Sequence, residues 1–562
     1  MKILLLTYFL IFCFSVYTQQ RKYKLEIFEK SEGQKNVVKS SKTINFTDTA
    51  QLMHELEELK NSAFVNGHLN FYIDSVYTDS LITTVYCVKG EKLTWGNIVP
   101  VDLDEMVLRK KNINLKKLQN KPFTQNSILS IYEKIITFYE NNGYPFASVS
   151  MQNIKINNSQ VNAGLVVQKY NLFYFDSLLI LGPANFNIKL LRKYLNIKHN
   201  EIYNESKLKS ITGIINDLEF LEQGKPYELE FTGNKANIYT YLKNRKANRF
   251  NGIVGILPDE NNKVSFTGEV DLALVNSFKR AENISLNWRK LESNSQDFSL
   301  NFNYPYLFYS PFGIESGFSL YKKDTSFINT GLGFGIRYLL YGNNYVSLNF
   351  QSKSTRLIGR NSDLSGNNLL AGSSSNLIGV GYYFRKFDDK YNPTRGAGIY
   401  FDVKTGKKKF SDSSKGSVNK SEISLKASLY FPVISNFVIN IRNNSGIIID
   451  DDLYENELYR LGGMNNFRGV DENSVLASRF SVFNLEAKYL FEERSNIYIF
   501  TDLAYFQNVT VKSSEKPISF GVGLNLGTRS GIFTINYALA KRFNNPFDIK
   551  TGKVHIGYSN QF

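Results

Sequence analysis

Beyond its first residues this sequence has no run of about twenty apolar side chains, so no helix in the mature chain is expected to cross a bilayer. Cysteine is nearly absent, with 2 in 562 residues. Cys13 falls in an apolar leader, which leaves Cys87 alone and excludes an intrachain disulfide. Cys87 alternates with Val85 in a strand-like run and reads as a small core residue. The 4 His are scattered, and no Cys/His group has metal-ligand spacing, so no metal is expected. No Ser stands in a nucleophile-elbow frame and no Gly-rich loop has the phosphate-binding pattern. No catalytic residue and no cofactor are therefore expected, and the chain does not read as an enzyme.

The leader itself is short. Met1 and Lys2 precede an apolar stretch from Ile3 to Val16, followed by Thr18 and Gln19, the pattern of a secretory signal over 1–18. The bulky Phe12 before Cys13 argues against a lipoprotein site. Net charge is +16, but the basic residues are dispersed and the leader takes the chain out of the cytoplasm, so nucleic acid is not the expected partner. Loops facing anionic lipid headgroups account for the excess.

What is abundant is aromatic: 35 Tyr and 43 Phe, with 38 Gly and only 12 Pro, a composition suited to many antiparallel strands joined by turns. Patterning changes once along the chain. Up to about Asn244 helical and strand periods mix; after it only the period of two remains. The front part repeats a unit of roughly 70–80 residues, strand, helical turns, then two strands. The spacing predicts units over 19–91, 92–170 and 171–244. In the middle unit Thr124 caps a helix with Ile128, Ile131, Ile135 and Phe138 on one face, ending at Asn141-Asn142-Gly143. Strands follow over 146–154 and 160–168, with Asn157-Asn158 as the turn. In the first unit Lys22–Glu29 reads as a strand, Leu52, Leu56 and Leu59 mark a helix, and strands follow near 69–76 and 81–88. In the third, a strand over 172–181 precedes one helix carrying Leu208, Ile211, Ile215 and Leu218, and Gly224 and then a strand to Phe231 follow.

From 245 to 562 long alternating segments predominate. Ile518, Phe520, Val522, Leu524 and Leu526 interleave with small or polar residues, as do Leu332, Phe334, Ile336 and Tyr338. The runs reach about 9–13 residues, the length that crosses a bilayer at a tilt, against about 5–6 for soluble strands. Roughly sixteen such segments are expected from Phe250 onward, an even number as a closed transmembrane barrel requires. The expected fold class is α+β repeats followed by an all-β transmembrane barrel of about sixteen antiparallel strands.

Three stretches carry a family resemblance. Arg460-Leu461-Gly462-Gly463-Met464-Asn465-Asn466-Phe467-Arg468-Gly469-Val470 lies in a long connection, 450–477, between strands. Glu486 and Asp502 lie in the two strands that follow, and Asp502 breaks an apolar row of Tyr498, Phe500 and Ala504. Asp388 to Gly396 forms an Asn-Pro and Arg-Gly turn. Together these resemble the BamA/TamA-like superfamily of outer-membrane assembly and translocation proteins. The front units resemble its POTRA domains.

The resemblance implies that the loop folds back into the barrel. Gly462, Gly463, Phe467, Arg468 and Gly469 would form its tip, with Glu486 and Asp502 holding the guanidinium; Val470 stands where many relatives have an aromatic. The closing strand, with Val554, Ile556, Tyr558, Asn560 and Phe562 on one face, resembles the terminal assembly signal of outer-membrane barrels, through Tyr558 and Phe562. The implied function is assembly or insertion of outer-membrane proteins, with POTRA units in the periplasm receiving substrate and a barrel seam assisting insertion. Implied partners are outer-membrane lipids, unfolded outer-membrane or secreted proteins, and accessory proteins of the periplasm or inner membrane. A two-partner-secretion-type translocation pore is the alternative, although an amino-terminal plug helix is not seen where Lys22–Glu29 reads as strand. A passive porin or structural barrel is the third reading.

Overall fold

The computed structural model describes residues 23–30, 37–46, 48–79, 82–258, 264–290, 295–358, 370–389, 392–492, 494–528, 531–542 and 549–560. The leader over 1–18 with Cys13, and Phe562, lie outside these residues. The chain folds as two compact units, the first running to Tyr174 and including Ile202–Glu205, the second formed by Phe175–Glu201 and Ser206 onward.

The first unit contains two α/β modules. In one, β1 (Tyr23–Lys30) and β2 (Val37–Phe46) pair antiparallel, and after the helix Thr49–Val65 come β3 (Tyr72–Asp79) and β4 (Ile82–Val88), in the order β2-β1-β4-β3. The pairing of β1 with β4 is parallel. Leu25, Ile27, Val85 and Cys87 fill the core beneath the helix. β2 was not foreseen: the sequence of Val37–Phe46 alternates only weakly.

The second module has β5 (Thr94–Val101), the helices Glu105–Lys110 and Gln125–Glu140, then β6 (Ser148–Asn157) and β7 (Gln160–Gln168), ordered β5-β7-β6. Thr124 caps the long helix as expected, accepting from the Ser127 N–H while Ser127 returns a bond to the Thr124 N–H. Ile131, Ile135 and Phe138 are buried, and Gly143 has φ +97. The hairpin turn sits one residue later than its expected place: Asn158 and Ser159, not Asn157 and Asn158, take left-handed backbone (φ 49 and 58), as a two-residue hairpin turn requires.

A third module opens the second unit. It holds β8 (Tyr174–Leu181), β9 (Leu221–Thr232) and β10 (Lys235–Asn244) in the order β8-β10-β9. Leu208, Ile211, Ile215 and Leu218 are all buried, but the expected single helix is two, Glu205–Lys209 and Ile211–Asp217, interrupted at Ser210, whose hydroxyl bonds the Lys207 carbonyl. An earlier helix, Ile188–Leu195, was not foreseen, and Gly224 lies inside β9 rather than before it.

The remainder of this unit is one antiparallel sheet. Its strands are β11 (Arg249–Pro258), β12 (Val264–Val275), β13 (Asn283–Lys290), β14 (Gln296–Tyr304), β15 (Phe312–Lys323), β16 (Phe327–Tyr341), β17 (Asn344–Leu357), β18 (Ser373–Phe387), β19 (Gly396–Phe410), β20 (Val418–Ile434) and β21 (Phe437–Asp450). A small hairpin of β22 (Tyr459–Leu461) and β23 (Val475–Ala477) stands apart within a long connection. The sheet resumes with β24 (Arg479–Glu492), β25 (Ser495–Asn508), the stub β26 (Ser513–Glu515), β27 (Ile518–Gly527), β28 (Gly531–Lys541) and β29 (Lys553–Asn560). Leaving out the stub, sixteen long strands follow one another, each paired with the next.

The outward rows are the apolar ones anticipated: Leu332, Phe334, Ile336 and Tyr338, and likewise Ile518, Phe520 and Val522, are exposed. Polar side chains such as Asn349, Asp402, Asn440 and Asp502 are buried inside. Apolar outside and polar inside is the reverse of a water-soluble sandwich and suits a cylinder in lipid. The first and last strands, β11 and β29, lie side by side, yet among the described residues no hydrogen-bonded ladder joins them. The barrel is nearly closed, with a seam.

The third module packs on one rim of this barrel, within the same unit. Tyr194 stacks edge-on against Tyr306 with ring centroids 4.7 Å apart, and its carbonyl accepts from the Gly342 N–H at 3.0 Å. Arg385 reaches Asp217 at 3.4 Å. Short turns lie at this rim, and the long connection between β21 and β24 leaves from the other.

Candidate functional site: an inward loop latched in the barrel

That connection turns into the lumen. Its apolar residues Leu461, Phe467, Val470, Val475 and Ala477 cluster with wall residues Phe480, Val482 and Phe506. Phe467 is fully buried, its ring edge-on to Phe506 at 5.7 Å. Val470, in place of an aromatic, still fills this cluster. The burial explains why β24 and β25 carry apolar residues on their inner face as well as on the outer one.

Three glycines shape the tip, each in left-handed backbone: Gly462 (φ +110), Gly463 (φ +88) and Gly469 (φ +86). A Cβ on Gly469 would also stand 3.0 Å from the Ala540 amide nitrogen, so only glycine lets the tip approach the β28 backbone. At Gly462 the added atom would meet the Asp471 carbonyl oxygen at 2.4 Å.

Arg468 follows at the apex and is 2 % exposed. Its backbone N–H and Nε both donate to Asp502 Oδ2, at 3.0 and 2.9 Å, and Nη2 donates to Asp502 Oδ1 at 2.5 Å. Nη1 donates to Glu486 Oε1 at 2.8 Å. The guanidinium lies 3.6 Å from the centre of the Phe500 ring, a cation–π contact. Burial would pull the pKa of this group down; the bonds and charges of Asp502 and Glu486 more than reverse that and leave it above its ordinary value. The fork geometry is one that lysine could not supply.

The two carboxylates differ in company. Asp502 is wholly buried, and among the described residues Arg468 is the one cation paired with it. Glu486 also accepts from Arg442 Nη2 at 2.6 Å and Asn440 Nδ2 at 3.0 Å, with Lys488 at 3.1 Å. Arg442 was missed in the sequence; its signal was parity, since it shares the inner face of β21 with Asn440. The tip also touches the last strand: the Gly469 N–H donates to His555 Nε2 at 3.3 Å, and Lys553 pairs with Asp471 at 2.9 Å.

Tyr558 is not part of this site. It faces outward on β29, beside Phe533 of β28. Asp388 closes its turn by accepting from the Thr394 and Arg395 N–H groups, at 2.9 and 3.1 Å.

A family model described as the Omp85 superfamily domain matches residues 276–562. Among solved structures the chain is similar to CdiB from Escherichia coli, at 13% identity, covering 91% of this chain and 97% of that one, with a TM-score of 0.52. It is similar also to BamA from Haemophilus ducreyi lacking POTRA domains 1–3, at 15% identity, 84% and 100% coverage and a TM-score of 0.42. CdiB from Acinetobacter baumannii matches at 13% identity, 91% and 97% coverage and a TM-score of 0.49. No curated protein matches. With the family model spanning half of its length, an arginine-tipped loop inside the barrel and sixteen long strands around it, this chain is a member of the Omp85 superfamily.

Proposed function

We propose that this protein assists the insertion of other proteins into the bacterial outer membrane, with its α/β modules serving as POTRA-type domains in the periplasm. The observation that carries the reading is the seam: β11 and β29 are neighbours with no ladder between them among the described residues. Unpaired strand edges in lipid are costly, because each unsatisfied N–H or C=O costs several kcal/mol there. An edge that opens is thus a template on which an incoming strand gains hydrogen bonds. A cavity inside the barrel adjoins both seam strands and is lined by Asn251, Gly252, His555, Gly557 and Met464 of the inward loop. In the modules, β3 and β6 are sheet edges carrying exposed apolar residues, Val76 and Tyr77 on one and Ile154 and Ile156 on the other, where extended substrate could add as a further strand.

The reading is tested by placing photo-crosslinkers on β3 and β6 in cells and identifying what is captured. A spread of outer-membrane barrel precursors is expected. Capture of one dedicated exported protein would overturn it in favour of a secretion pore. Bilayer recordings separate the porin reading: a latched loop gives small, flickering conductance, a passive porin large and steady current.

A further inference from the structure

The inward loop meets the barrel wall at a second place, before it reaches its tip. A turn over Glu455–Glu457 lies against the inner faces of β16, β18, β19 and β20. Asn456 is almost wholly buried; its side chain accepts from the Ala371 N–H at 3.2 Å and donates to the Ala371 carbonyl at 3.0 Å, while its own carbonyl accepts from Asn329 at 2.7 Å. Glu457 then meets two buried lysines of the wall. Lys408 donates to Glu457 Oε2 at 2.9 Å, and Lys420 to Glu457 Oε1 at 3.0 Å.

The wall is electrostatically incomplete without this loop residue. Lys408, fully buried, would keep Asp450 and the Asp452 carbonyl, each at 2.6 Å. Among the described residues Lys420 would keep Glu422 alone, at 3.9 Å, and both oxygens of Glu422 already accept from Lys353, at 2.8 and 2.7 Å. A buried ammonium left without an acceptor is strongly disfavoured. Both lysines lie on the inner parity of their strands, with Asp402, Lys404 and Glu422, so the site belongs to the sheet and not to loop chance.

We infer that Glu457 is a second latch, fixing the root of the loop to Lys408 and Lys420 of β19 and β20 independently of the Arg468 tip on β24 and β25. The loop is then a strap tied at two arcs of the wall, and the lumen clears only when both ties release. Each tie alone keeps part of the strap across the pore.

The test is single-channel recording of the purified full chain in planar bilayers, with folding checked by heat-modifiable gel mobility. Glu457→Gln and Arg468→Ala are compared singly and together. The expected result is that Glu457→Gln raises open probability in both backgrounds, so that the double variant opens about tenfold more than either single one, the scale of one coupling interaction. If Arg468→Ala alone opens the pore as far as the double variant, or Glu457→Gln changes nothing in either background, the second latch is refuted. A staple gives an independent reading: Ala371→Cys with Asn456→Cys, oxidised in the double Arg468→Ala and Glu457→Gln background, should hold the pore shut until reductant is added. A stapled pore that stays open also refutes it.

Discussion

Replacing Arg468 with alanine removes three side-chain hydrogen bonds to carboxylates and the stacking on Phe500. The consequence is uneven. Glu486 retains Arg442 and Lys488 within 3.1 Å and stays neutralised. Among the described residues, wholly buried Asp502 retains the loop's backbone N–H alone, at 3.0 Å. Stranding one member of a buried pair costs about 3–5 kcal/mol, and Asp502 should account for most of it. Removing Asp502 as well relieves that penalty, so the two single losses should overlap by about 2–3 kcal/mol instead of adding. The measurement is reversible urea unfolding of the barrel in phospholipid vesicles, followed by tryptophan emission. Arg468→Ala should be less stable than Arg468→Ala with Asp502→Ala, and Arg468→Glu with Glu486→Ala, which sets a second carboxylate against Asp502, should give no rescue at all. Simple additivity of the Arg468 and Asp502 losses would refute the pairing argument.

Other outcomes follow from single residues. Gly469→Ala should lose about 1–3 kcal/mol through its left-handed backbone and its clash with β28, whereas Gly213→Ala, where an added Cβ meets nothing within 4 Å in a helix, should gain about 0.4–1 kcal/mol. Both are read from the same unfolding curves. The Cys87 thiol is pushed up to about 11 by burial and then by Glu29, so maleimide should leave it unlabelled at neutral pH until urea opens its module; rapid labelling of the native chain would contradict that packing. The Asp104 carboxyl is held below its ordinary value by a hydrogen bond from Lys169. A depressed carboxyl stabilises above its unfolded pKa of about 3.9 and loses that contribution as pH falls through the folded value. Because the pair is half exposed, Asp104→Asn should cost under about 1 kcal/mol at neutral pH, with the difference vanishing in acid.

Much of this architecture was legible because lipid imposes a period of two over unusually long strands. Ile518 to Leu526 and Leu332 to Tyr338 announce their outward face without any knowledge of their neighbours. The loop tip was legible through a resemblance, which also named Glu486 and Asp502 as its partners. The second latch was not. Lys408 sits in Lys407-Lys408-Lys409 and looks like a solvated run; only the pairing of β19 with β20 puts it on an inner face with Lys420. Glu457 is one of five acidic residues in a polar stretch, and nothing local marks which one turns inward. β2 escaped because its alternation is weak, and the break at Ser210 because a single apolar face runs through both short helices.

On the proposed function, substrate should enter the membrane at the gap between β11 and β29. Asn251 and Gly557 line the same cavity beside it, so a cysteine pair placed there and joined by a disulfide-containing linker staples the seam. The decisive measurement is insertion of an unfolded barrel protein into vesicles carrying the full-length stapled chain, with and without reductant. The linked protein should be inactive and the reduced one active; equal insertion in both states would place entry elsewhere.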